Sequence, residues 1–256
     1  MKNRIYFFTG TGNSLKAAKD ICENLPECEL VPIKKGTDCN IPQGYERVGF
    51  VFPVYCWGLP AMVADFLQAA AFPQQGSTYF FAVATMGGLP GVAIPQTRDI
   101  LHEKGMRLNY GRCIRMFANS VSNYNMSRNI EKITRESGKR IQAVIPDIAA
   151  MKQNNVAPTN KMIFRLYAGS IAKIHEFGSG FNVNDECVSC QICLSVCPAG
   201  NITMQNGKPA FDKHCEGCTA CIQHCPKKAI NYMAKTQKRR RYTHPQIGHR
   251  EISQYY

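Results

Sequence analysis

The 256-residue sequence has no long uninterrupted apolar run. Its most apolar later window, Tyr79 to Pro95, is broken by Gly87, Gly88, Pro90 and Gly91, so it does not read as a membrane span. Met1 to Phe8 is too short for the apolar core of a secretory signal, and the glycines that follow interrupt it. A cytoplasmic protein is expected. The chain lacks a G-x-x-x-x-G-K-S/T triphosphate loop. It also lacks the third glycine of G-x-G-x-x-G, because Leu15 stands there. His102, His175, His214, His224, His244 and His249 show no metal-pair spacing with carboxylates. His214, directly before the second cysteine run, and His224, inside it, are expected at the surface. No nucleophile–base arrangement is evident. Tryptophan occurs once, as Trp57.

Acidic residues are scarce, 18 against 31 basic ones, for a net charge of +13. The excess is +5 over residues 1–150, +3 over 151–178, zero over 179–232 and +5 over 233–256. It gathers locally only in Lys238–Arg239–Arg240–Arg241. That run reads first as a solvated tail, and second as a contact for an acidic redox partner. No basic motif is interleaved with aromatics, so nucleic acid is not expected.

Thirteen cysteines are present, eight within Cys187 to Cys225. The other five are Cys22, Cys28, Cys39, Cys56 and Cys113. An odd total without a signal points to thiols or metal ligands. The scattered five are expected to be free thiols.

Residues 1–150 alternate strand-like and helix-like stretches. Strands are expected at Arg4–Phe8, Glu29–Ile33, Val48–Phe52, Tyr79–Ala84 and Arg112–Phe117. Helices are expected at Ser14–Leu25, Pro60–Ala70 and Ser127–Ala150. Near-continuous apolar strands between helices mean a parallel sheet covered on both faces. An α/β doubly wound five-stranded sheet is predicted, with a helical linker over 151–180 (Met162 to His175 as its helix). A small domain at 181–232 and a basic tail at 233–256 follow.

Two cysteine runs, Cys187/Cys190/Cys193/Cys197 and Cys215/Cys218/Cys221/Cys225, each read C-x2-C-x2-C-x3-C-P, closed by Pro198 and Pro226. The second repeats the first at an offset of 28 residues, which Ile202 and Ile230 share. Three thiolates at intervals of three can reach three irons of one cube. The fourth, on a turn pointing away, reaches the other cube. One 4Fe–4S cluster is therefore expected on Cys187, Cys190, Cys193 and Cys225, the other on Cys215, Cys218, Cys221 and Cys197. Structural zinc needs no third cysteine at this spacing. Residues 181–232 resemble the bacterial two-cluster ferredoxins, which implies a small α+β domain and one-electron transfer at low potential.

Thr9-Gly10-Thr11-Gly12-Asn13-Ser14 follows the first strand and opens a helix. Backbone N–H groups in such a turn bind phosphate. Hydroxyls on Thr9, Thr11 and Ser14, with no lysine, suit a phosphate monoester. The loop resembles the T-x-T-G-x-T/S phosphate loop of flavodoxins. That resemblance covers roughly 1–150 and implies FMN and a strand order of 2-1-3-4-5. It implies a ring-stacking aromatic in the loop after the third strand, either Tyr55 or Trp57, with Gly58 beside them. It also implies flavin-edge contacts from Thr85, Met86, Gly87 and Gly88. The usual aromatic is missing from that fourth-strand loop, and Tyr124 is the candidate substitute.

Taken whole, the chain resembles the flavodoxin–ferredoxin fusion proteins of anaerobic bacteria and archaea. The resemblance implies an electron carrier or oxidoreductase relaying single electrons between two clusters and FMN, with reduction of a small substrate as one end point. Its partner would be a redox protein or reductase. Two alternatives stay open: a redox sensor acting through the basic tail, and a flavin-free scaffold.

Overall fold

The computed structural model describes residues 2–73 and 77–256. Five strands, β1 (Lys2–Phe7), β2 (Cys28–Pro32), β3 (Tyr45–Pro53), β4 (Tyr79–Met86) and β5 (Leu108–Arg115), form one sheet in the order β2-β1-β3-β4-β5. Every neighbouring pair is parallel. Along β1, Ile5 and Phe7 enter one core while Tyr6 and the following Phe8 enter the other, as the two-residue strand period requires. Helices α1 (Asn13–Glu23) and α4 (Ile130–Ala149) cover the first face; α2 (Ala61–Ala69) and α3 (Ala93–Glu103) cover the second. This is a doubly wound, flavodoxin-like sheet. Its order reverses between β1 and β3, which opens a crevice at their carboxyl ends.

Helix α3 has no counterpart in the sequence reading. Pro95 and the run of glycines before it suggest a break, yet the proline falls in the first turn, where its missing N–H costs nothing. Strand β5 begins four residues before the expected Arg112, and Met116 and Phe117 leave the sheet as a loop. Strand β3 likewise extends back to Tyr45. Its buried Arg47 donates to the carbonyls of Ile148 and Ala149 at 3.2 and 2.7 Å, closing the C-terminus of α4.

After α4 the chain returns along β5, where the Asn154 side chain exchanges two hydrogen bonds with the Gly111 backbone. Helix α5 (Lys161–Ile171) is capped by Asn160, whose side chain accepts from Met162 and Ile163 N–H. A 3₁₀ turn over Ile174–Gly180 leads into the cysteine-rich unit. There β6 (Phe181–Val183) pairs antiparallel with β9 (Ile230–Tyr232), and β7 (Ile202–Gln205) pairs with β8 (Lys208–Phe211). Asn206 and Gly207, both at positive φ (49° and 76°), make the tight turn between β7 and β8. The short helices α6 (Ile192–Ser195) and α7 (Ala220–Gln223) lie 28 residues apart.

The segment after residue 232 is not a solvated tail. Thr236, Tyr242, His244, Ile247 and Ile252 are buried. The segment packs on α1 and β1: Lys19 pairs with Glu251 of α8 (His249–Ser253), and Tyr255 meets the edge of Phe7 at 4.9 Å. The basic run splits: Arg239 and Arg241 turn inward onto backbone carbonyls, while Lys238 and Arg240 stay exposed. The scattered cysteines are not all the free thiols expected. Cys22 and Cys28 are joined in a disulfide across the α1–β2 connection, whereas Cys39, Cys56 and Cys113 are free. Spacing alone gives no sign of this, because the helix end and the strand start must first be brought together. Among the described residues no helix is long and apolar enough to cross a membrane.

Candidate functional site

The carboxyl ends of the strands open onto a cavity of about 820 Å³. Its first wall is the loop after β1: Thr9, Gly10, Thr11, Asn13 and Ser14. Gly12 sits at the start of α1 with φ 95°, a left-handed conformation suited to glycine, and no side chain caps that helix. The Thr9 hydroxyl accepts from the Gly12 N–H at 3.1 Å. No hydrogen bond among the described residues uses the backbone N–H of Gly10, Thr11, Asn13 or Ser14. An uncapped helix N-terminus with spare N–H groups on a cavity wall has the chemistry to accept an anion.

The loop is held from outside. The Tyr256 hydroxyl accepts from Thr9 N–H at 2.8 Å and donates to the Thr9 carbonyl at 2.9 Å. His224 Nε2 donates to the Gly10 carbonyl, and His244 N–H to the Thr11 carbonyl at 2.8 Å. Asn13 is fixed between the Phe117 carbonyl and the Tyr242 hydroxyl. Ser14 and Thr85 share a hydroxyl–hydroxyl bond of 2.8 Å. Burial drives both His224 and His244 down to about 4, so both rings are neutral at pH 7, and it pushes the Tyr256 phenol up. His224 is not the surface residue expected from sequence, whereas His214 is exposed as expected.

The loop after β3 is a tight hairpin, with Tyr55 and Gly58 exchanging backbone bonds of 3.0 and 2.7 Å. Its two tip residues, Cys56 and Trp57, both have positive φ (49° and 66°), a strained conformation for side chains of this size. Gly91 braces the tip from below, where a Cβ would lie 1.9 Å from the Trp57 carbonyl. The turn leaves Trp57 47% exposed on the cavity rim. Tyr55 lines the cavity and packs edge-on against Phe8 at 6.1 Å. Thr85, Met86, Gly87, Gly88 and Tyr124 complete the wall on the other side.

Two expected residues lie outside this wall. A Cβ at Gly12 would meet Ile247 at 2.8 Å, and one at Gly58 would meet Tyr167 at 2.3 Å. Both glycines serve close packing, of the C-terminal segment and of α5 respectively. The sequence reading missed other wall residues: Lys173, Ile174, Glu176, Phe177 and Ser179 of the 3₁₀ region, and Tyr232, which stacks on Phe177 at 4.3 Å. No motif marks them, because only the docking of the two units brings them to the cavity.

In the cysteine-rich unit one small cavity is lined by Cys187, Cys190, Cys193 and Cys225. A second is lined by Cys197, Cys215, Cys218 and Cys221. The backbone repeats as the sequence does. Left-handed residues recur in pairs 28 apart: Ser189 and Gly217, Gln191 and Thr219, Gly200 and Lys228. Asn201 N–H donates to Cys197 Sγ at 3.4 Å, and its counterpart Ala229 N–H to Cys225 Sγ at 3.2 Å. Such bonds stabilise thiolates that ligate iron. Burial pushes the Cys193 and Cys215 thiols up to about 11, so metal loading must drive their deprotonation. Among the described residues no three His, Cys, Asp or Glu side chains converge on a single ion. A cube requires no such point, since each thiolate takes its own iron. The donor sets, their N–H partners and their enclosure fit two cubes.

The two units touch at the chemistry. Cys218 and Thr219 line both the second cysteine cavity and the large one.

A family model described as a 4Fe–4S dicluster domain matches residues 186–230. No curated protein sequence matches the chain. Among solved structures, a Fusobacterium nucleatum flavodoxin bound to flavin mononucleotide aligns at 18% identity and TM-score 0.39, over 60% of this chain and all of that one. An FMN-dependent NADH-azoreductase from Bacillus anthracis in complex with FMN aligns at 8% identity and TM-score 0.40, over 58% of this chain and all of that one. An NAD(P)H:quinone oxidoreductase from Methanothermobacter marburgensis aligns at 8% and 0.40, over 61% and 98%. At these scores the strand order, and not the likeness, defines the fold. The chain thus joins a flavodoxin-like parallel sheet to a 4Fe–4S dicluster domain, which implies two four-iron clusters.

Proposed function

We propose that the protein is an electron-transfer flavo-iron–sulfur protein that binds FMN in the large cavity and passes single electrons between that flavin and its two clusters. The observation that carries this reading is the shared wall: Cys218 and Thr219 border both the flavin cavity and the second cluster cavity. FMN exchanges one or two electrons and each cluster one, so together they match one-electron partners to two-electron chemistry.

The chain's own residues supply binding and enclosure. The free N–H groups of Gly10, Thr11, Asn13 and Ser14 would hold the phosphate. Trp57 and Tyr124 would flank the ring, and the backbone of Thr85 to Gly88 would meet its polar edge. Cys187, Cys190, Cys193 and Cys225 would hold the outer cluster, near exposed Val188 and Cys190. Cys215, Cys218, Cys221 and Cys197 would hold the inner one. Electrons from a redox partner protein would enter at the outer site, and a small acceptor would reach the flavin from the open side of the cavity.

Anaerobic purification and cofactor analysis test the reading. About eight irons and one FMN per chain are expected, followed by reduction of bound flavin when a reduced ferredoxin or pyridine nucleotide is added. Protein with iron but unable to take up FMN would sink the flavin half. The redox-sensor alternative draws less support, because half of the basic run it needs is turned inward.

A further inference from the structure

The duplicated halves are not electrostatically equivalent. The residue after the first cysteine of each run is Val188 in one half and Glu216 in the other. Val188 is 56% exposed; Glu216 is buried at 4%. Besides its cysteines, the inner cavity has one charged lining residue, Glu216, and the outer cavity has one, Lys227. Lys227 corresponds through the 28-residue offset to Ala199, so the two cavity linings differ in charge at both positions. The opposite pairing, Asp185 and Glu186 before the outer run against Lys213 and His214 before the inner one, is exposed, lies outside both linings and is screened by solvent. A third charge reinforces the difference between the linings. The partly buried Arg241 guanidinium, on the C-terminal segment, binds Asn231 and the carbonyl of Ile230, a residue that lines the outer cavity.

Glu216 is fixed in place. Its carboxylate accepts from the Met62 N–H at the start of α2 at 3.0 Å, and His175 Nδ1 stands 3.7 Å away. Burial raises the proton affinity of the Glu216 carboxyl, and the Met62 N–H and His175 act against that rise. His175 Nδ1 lies nearer the Cys215 carbonyl, at 3.1 Å, than the Glu216 carboxylate, so no direct ion pair cancels the carboxylate. The helix end supplies a partial charge, and the His175 side chain is 45% exposed. A buried anion favours the less negative, oxidised form of a neighbouring cluster. A cation favours the reduced form.

We propose that Glu216 makes the cluster beside the flavin cavity the harder of the two to reduce, so that the first electron entering the pair rests on the outer cluster. A one-electron donor protein is oxidised as the outer cluster gains that electron. The inner cluster, and through it the flavin, is charged only when a second electron follows. The dicluster unit would then hold one electron outside and release inward only under a reducing supply. This inference rests on the two-cluster reading.

Reductive titration of the full-length, anaerobically purified protein with dithionite, followed by EPR, tests it. Two separate reduction midpoints are expected. In Glu216→Gln, which keeps an acceptor for the Met62 N–H, the lower midpoint should rise while the upper one stays. The ratio of reduced to oxidised inner cluster at a fixed potential should change about tenfold, equal to about 59 mV for one electron. An E216Q protein with eight irons and unshifted midpoints overturns the proposal, as does a shift of the upper midpoint instead. If E216Q does not hold its irons, the wild-type titration alone decides: both clusters reducing in one wave overturns the proposal, and two waves support it. Iron far below eight in the wild type would count against the two-cluster reading itself.

Discussion

The backbone of Gly10 lies directly against Cys218: a Cβ placed on Gly10 would fall 2.7 Å from the Cys218 carbonyl and 3.1 Å from its Cβ. A glycine of the proposed phosphate loop is therefore also the seat of a proposed cluster ligand. This contact sets the spacing between the two halves of the molecule.

Gly10→Ala should force those halves apart. Overpacking of this kind costs about 1–3 kcal/mol. The variant should melt lower and lose both FMN and part of its iron, read by cofactor analysis and thermal melts. Gly138→Ala, in α4 and away from the cavity, is the control, since no atom lies within 4 Å of a Cβ there. Equal loss in both variants would refute the packing argument.

Tyr256→Phe removes a hydroxyl that satisfies both the N–H and the carbonyl of Thr9. Leaving such groups unpaired costs about 1–3 kcal/mol. FMN titration followed by fluorescence should show affinity weakened by roughly one order of magnitude, with iron content retained. Unchanged affinity would mean the hydroxyl does not position the loop.

His244 gives the protein a pH dependence with a defined sign. Its folded pKa is about 4 against an ordinary 6.5. Between those values the unfolded chain binds the proton and the folded chain does not. The contribution is thus complete above pH 6.5 and declines by about 1.4 kcal/mol per pH unit as pH falls through the window. Lys16 opposes protonation and Asp20 favours it. Nδ1 also accepts from the Gln246 N–H at 3.2 Å, a bond that protonation breaks. Melting temperatures from pH 7 down to pH 5 should fall more steeply for the wild type than for His244→Gln. Parallel profiles would rule the histidine out.

Trp57 is held at the cavity rim by a strained hairpin tip that it forms with Cys56. If it stacks on the flavin, its fluorescence should be quenched on FMN binding, and Trp57→Ala should weaken binding about 2- to 10-fold, the worth of one aromatic stack. An emission spectrum indifferent to FMN would leave Tyr124 as the stacking residue.

Much of this site is legible in sequence because its parts are local. Thr9 to Ser14 form a strand–turn–helix junction within one stretch, and each cysteine run carries its own turn geometry. The Asn206–Gly207 turn is equally local and readable, though the hairpin it makes lies within the small domain. What is not legible is distant in the chain. Tyr256 reaches Thr9 across 247 positions, and His224 reaches Gly10 across 214. Neither contact has a spacing rule. Composition also misled at the C-terminal segment, where a basic run suggested solvent. Tyr242, His244 and Ile247, just after that run, are buried, and only a neighbouring helix face gives them somewhere to go.

The sequence by itself determined the doubly wound sheet, the duplicated cysteine unit and the hydroxyl-rich loop, because strand burial, ligand spacing and turn chemistry act over a few residues. Only the tertiary structure decided that the second cysteine run, and not the first, abuts that loop. The two runs share one spacing. They differ in what surrounds them: Gly217 admits Ile174 at a distance no side chain there would allow, Glu216 meets the start of α2, and Gly10 admits Cys218. Such choices depend on shape and charge meeting across the fold, which local spacing does not record.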